Sequence, residues 1–122
     1  MKIKQFQKRQ FQHLNGTIYD SHVVYLVKIF NSVRTDNDVL FACSTLEKAF
    51  TLIKQHVIIE PVDWIFEGNF SIEICEQHVD IANRNNIKTV YTMNVNDTYM
   101  SAIVNYEFIE QIPEFFKSIL EN

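Results

Sequence analysis

The stretch His22-Val-Val-Tyr-Leu-Val-Lys-Ile-Phe30 constrains this chain more than any other. β-branched and aromatic residues run through it almost without a polar break, the pattern of a central strand covered on both faces. Residues 31–38, rich in Asn, Asp, Ser and Thr, supply a turn, and Val39-Leu-Phe-Ala-Cys43 returns as a second strand. A hairpin with a long loop therefore anchors the fold.

A helix follows at once. Ser44-Thr-Leu-Glu47 has the spacing of a capping box, in which the Ser44 hydroxyl takes the amide of the third helical residue while Glu47 reaches back. Leu46, Ala49, Phe50 and Ile53 then fall at i, i+3, i+4 and i+7, one face of a helix running to about His56. Pro61 interrupts the chain, and Gly68-Asn69 marks a turn between strand-like segments 62–67 and 70–76. Phe70, Ile72 and Ile74 alternate with Ser71, Glu73 and Cys75, and Ile87, Thr89, Tyr91, Met93 and Val95 with Lys88, Thr92 and Asn94. Both have the period of a strand with one wet face. Asn94-Val-Asn-Asp97 reads as a turn and residues 102–109 as a further strand. Ile112, Phe115, Phe116, Ile119 and Leu120 make a helical stripe started by Pro113, whose missing N–H costs nothing in a first turn.

Strands are thus grouped rather than alternating with helices, in the order β-β-α-β-β-β-β-α. That predicts an α+β fold, a mainly antiparallel sheet with two helices packed on one face. At 122 residues the chain suits a single domain, 1–122, and ten Phe with five Tyr let rings rather than disulfides build the core. Residues 1–16, with Ile3, Phe6, Phe11 and Leu14 weakly alternating, read either as an edge strand or as a flexible basic arm. Cys43 and Cys75 lie 32 positions apart among strand-forming residues, match no metal-knuckle spacing, and read as reduced, buried thiols.

Several chemistries are excluded by composition. The two glycines, Gly16 and Gly68, lie 52 residues apart, whereas a phosphate-cradling loop needs several glycines close together for its amides to approach the ligand. The nucleophile elbow is missing for the same reason. Glu76-Gln-His78-Val-Asp80 is the one constellation that carries chemistry: on a continuous strand, its period of 2 puts an oxygen, nitrogen, oxygen set on one face. It reads more simply as a solvated strand end. His13, His22 and His56 have no partner at a diagnostic spacing, and His56 suits the negative pole of a helix end. The chain is therefore read as carrying no catalytic group and needing no metal and no cofactor.

Charge is placed unevenly. Net charge is −4, yet residues 1–16 hold Lys2, Lys4, Lys8 and Arg9 without an acid, which leaves −8 on the rest. Between Lys54 and Arg84 stand six carboxylates, Glu60, Asp63, Glu67, Glu73, Glu76 and Asp80, and no Lys or Arg. Such a segment attracts basic proteins and speeds their association. Glu60, Asp63, Glu67, Glu73 and Glu76 are the expected partner-binding contacts. Trp64, between acids, is either a core ring or an interface anchor. Nucleic acid has only the N-terminal arm to hold, and four cations against an acidic body are a weak footprint. The N-terminus lacks a signal-peptide apolar run and no stretch approaches the ~20 apolar residues that span a bilayer. A cytoplasmic protein without a membrane partner is the expectation.

The hairpin of Val23-Val-Tyr-Leu-Val27 and Val39-Leu-Phe-Ala-Cys43, followed by Ser44-Thr-Leu-Glu-Lys-Ala49 opening a helix, resembles the start of small bacterial α+β domains among toxin-immunity and phage accessory proteins. The resemblance spans residues 22–56. It implies an immunity protein of the contact-dependent growth-inhibition type: cytosolic, non-enzymatic, and acting by covering the active site or substrate surface of a toxin. It carries over no binding residue by position. Joined to the acidic segment, it implies a basic, nuclease-type toxin domain as partner. A phage-encoded or regulatory inhibitor or adaptor is the alternative, and an enzyme of unrecognised type the third class.

Overall fold

The computed structural model describes residues 7–12, 16–31, 39–56, 69–81, 86–96 and 100–120. It is an α+β fold. Strands β1 (Lys8–Gln12), β2 (Ile18–Phe30) and β3 (Val39–Cys43) precede helix α1 (Leu46–Lys54). Strands β4 (Phe70–His78), β5 (Ile87–Val95) and β6 (Met100–Val104) follow, then a 3-10 turn (Tyr106–Gln111) and a single-turn helix α2 (Glu114–Lys117). Among the described residues the pairings between named strands are antiparallel. The path is β1-β2-β4-β5-β6, with β3 also paired to β2.

β2 is longer than the apolar run that announced it. β3 pairs with residues 25–29 and β1 with residues 18–22. The Gln7 amide donates to the Ser44 carbonyl at 3.4 Å, so β1 begins where β3 ends. Residues 8–12 are therefore an edge strand, not a free arm. Pairing on both sides does not mean cover on both faces. Val23, Tyr25, Val27 and Ile29 are buried, whereas Val24, Leu26, Lys28 and Phe30 on the other face are half-buried.

The core lies against the inner face. Leu46, Ala49, Phe50 and Ile53 of α1, with Phe108, Ile112 and Phe116 from the C-terminal segment, cover Ile29, Ile72, Ile74, Tyr91 and Met93. Phe50 meets the Tyr91 and Phe116 rings at centroid distances of 5.1 and 4.9 Å, and the Tyr91 hydroxyl donates to the Phe116 carbonyl at 3.2 Å. Each such large apolar side chain contributes about 1.5–3 kcal/mol on burial.

Three local expectations are corrected. The helix cap is Thr45, not Ser44: Thr45 is extended (φ −138°, ψ 156°) and its hydroxyl accepts from the Lys48 amide at 3.1 Å. The Ser44 carbonyl is still engaged by β1, which keeps that residue with the sheet and starts the helix one position later. The 102–109 strand ends at Val104, because the Asn105 side chain accepts from the Glu107 amide at 3.1 Å and turns the chain into the 3-10 segment. The C-terminal stripe is correspondingly split. Pro113 caps a single turn, Phe116 is buried, Phe115 exposed, and Leu120 bridges to Ala102 of β6.

A fourth departure shapes the site. Pairing of β4 with β5 slips between Ile74 opposite Tyr91 and Cys75 opposite Thr89, leaving Val90 as an extra residue. This β-bulge reverses the side-chain parity of the strand before it. Val90 and Tyr91 are both buried, Ile87 and Thr89 face out, and Lys88 stands opposite Glu76 on the inner face. The segment expected at 62–67, together with Pro61 and Gly68, lies outside the described residues.

Candidate functional site

β4 alternates strictly through to its end, so Glu76 and His78 occupy inner-face positions that Ile72 and Ile74 fill further along. Glu76 is 1% exposed. A carboxylate withdrawn from water to that extent has to be paired and hydrogen-bonded. Tyr25, its cross-strand neighbour, donates its hydroxyl to Glu76 Oε2 at 2.9 Å. Arg9 of β1 brings its Nε to 3.0 Å from the same oxygen. The guanidinium also lies 4.4 Å from the centroid of the Phe108 ring and reaches Glu107 Oε2 at 3.2 Å, and Lys88 Nζ approaches that oxygen to 3.0 Å. Two cations and two carboxylates thus clasp β1, β4, β5 and the 3-10 turn at one end of the sheet.

The titrations follow from this packing. Burial, reinforced by the Glu76 carboxylate, pushes the Tyr25 hydroxyl far above its ordinary range, so it stays a donor. The hydrogen bond from Lys88 lowers the Glu107 carboxyl, with the charges of Lys88 and Arg9 adding to it. Burial lowers His78, and Glu76 only partly opposes that. The His78 ring packs edge-on to Phe11 at 5.0 Å, its Nδ1 hydrogen-bonds Ser21 Oγ, and its Nε2 lies 3.8 Å from Glu76 Oε1. Beside this cluster an open cleft of about 600 Å³ is bordered by Lys8, Arg9, Asp20, His78, Lys88 and Glu107. Among the described residues that line it, three cations stand against two carboxylates.

The outer face has a different character. Register places Leu40, Lys28, Glu73, Thr92 and Ile103 in one row across five strands, with Ala42, Leu26, Cys75 and Thr89 in the next. Leu40 is 69% exposed, Ile103 61% and Ile87 48%. Leu26, Leu40, Cys75 and Ile87 with Glu73 line an apolar groove of about 390 Å³. The Cys75 thiol is half-buried here, donates to Glu73 Oε1 at 3.5 Å and is pushed up by burial. Both cysteines are free thiols, Cys43 being on the buried side.

Compared with known protein families, curated proteins and solved structures, the chain matches none. Function has to be read from these two surfaces.

The expected acidic contacts do not form one surface in the described part of the chain. Glu73 faces outward and is half-buried, while Glu76 faces inward beneath Arg9. Three positions apart on a strand, they point to opposite faces. Glu76 is therefore withdrawn as a surface contact. Glu60, Asp63, Trp64 and Glu67 lie outside the described residues. The Glu76, His78, Asp80 ligand set is not assembled either: Asp80 sits exposed in the turn beyond β4 at φ 63°. Among the described residues no group of three or more His, Cys, Asp or Glu could hold a metal ion. The basic arm is in part internal, since Arg9 and Phe11 point into the fold. Sequence reading passed over Arg9, Tyr25, Lys88 and Glu107 as site residues. Extending the β4 alternation two steps past Ile74 signals a buried Glu76, and with it the need for a cation.

Proposed function

We propose that the chain works by binding another protein, as a cytoplasmic immunity-type inhibitor that covers a basic toxin domain. The observation that carries this reading is the outer sheet face, where Leu40, Ile87 and Ile103 stand exposed around Glu73 although the apolar inner face is covered by α1 and the C-terminal segment. Exposed apolar rows supply short-range affinity. The cation-free run that leads into β4 supplies the long-range attraction, because a nuclease-type partner needs a positive cleft of its own. A phage-encoded or regulatory inhibitor with a basic target would use the same surface. Among the described residues no helix is long and apolar enough to cross a membrane.

The test is co-purification of the chain from its source cell with identification of the bound protein. A basic partner is expected, with association that slows as salt rises and slows further with Glu73→Lys. Binding indifferent to salt, to Glu73→Lys and to Leu40→Glu removes the reading.

One observation favours a second reading. Ser21, His78 and Glu76 line up as hydroxyl, imidazole and carboxylate, and burial lowers the His78 pKa, which favours the neutral ring that a general base has to start from. Acyl transfer by this line predicts turnover of an activated ester that is lost in Ser21→Ala and in His78→Gln. An inert wild-type protein leaves the line a structural one.

A further inference from the structure

We draw no further inference here: the strongest candidate, the open cleft at the end of the sheet where β1 faces Lys88 and the 3-10 turn, belongs to the site already described, its Arg9, Lys88 and Glu107 being paired with one another and with Glu76.

Discussion

The two faces of β4 set Glu73 and Glu76 in opposite circumstances, although both are carboxylates on one strand within the same acidic run. Glu73 stands on a half-open apolar face. Glu76 is sealed at 1% exposure beneath Arg9, with the Tyr25 hydroxyl on the same oxygen. The contrast shows that strand parity, not side-chain polarity, decides which groups this fold buries. A second contrast runs along the inner face itself. Ile72 and Glu76 are equally buried, but one is held by packing and the other by a clasp of charges.

The largest effect should come from breaking that clasp. Arg9→Ala leaves a buried carboxylate without its cation and should cost about 3–5 kcal/mol in urea unfolding. Replacing both partners, Arg9→Met with Glu76→Leu, should recover most of the loss, since a well-packed apolar pair avoids the desolvation penalty altogether. A double variant as unstable as Arg9→Ala would show that the Arg9 contacts with Glu107 and Phe108 dominate instead. At the apolar end, Ile72→Ala should cost about 2–5 kcal/mol through the cavity it leaves, with no dependence on salt. Measuring both losses in low and high salt separates the two ends of the face.

Acid should loosen the polar end selectively. The folded state holds His78 below its ordinary pKa of 6.5, so the unfolded chain binds more protons. Stability is then full above that value and falls as pH drops through it. His78→Gln should flatten this limb of the pH profile. Glu107, held below its ordinary 4.5 mainly by the hydrogen bond from Lys88, adds a second loss as pH falls below that value. A profile that stays flat between pH 7 and 5 in the wild type would mean that His78 gains its proton without penalty.

Smaller effects sharpen the comparison. Thr45→Ala should cost about 1 kcal/mol and Ser44→Ala close to nothing, which urea unfolding resolves and which distinguishes the observed cap from the expected one. Glu73→Lys should change stability by no more than ~0.5 kcal/mol. If it destabilises the chain as Arg9→Ala does, the outer face is not the open surface described.

Much of the fold was legible in the residues. The stripe of Leu46, Ala49, Phe50 and Ile53 and the alternation from Phe70 to Ile74 each carry a local period, and each became the expected element with the expected face buried, whereas the run 22–30 became a strand covered on one face instead of two. The site was far less legible. Arg9 lies 67 positions from Glu76 and Glu107 another 31 beyond, so no spacing rule connects them. The bulge at Val90 is also invisible to a period-2 pattern, because Ile87, Thr89 and Tyr91 alternate faultlessly on paper.

The sequence by itself determined the strands around residues 22–30, 39–43, 70–76 and 87–95, the helix that follows Cys43, the α+β class and the alternation of β4 from Phe70 to Ile74, because these follow from side-chain period and local turn chemistry. Tertiary structure alone decided that β1 joins the sheet, that Val90 bulges to turn Lys88 inward, and that Glu76 lies under Arg9 rather than in water. Those outcomes depend on which distant strands meet and in what register. A buried charge is tolerated only where several chain segments converge to pair it.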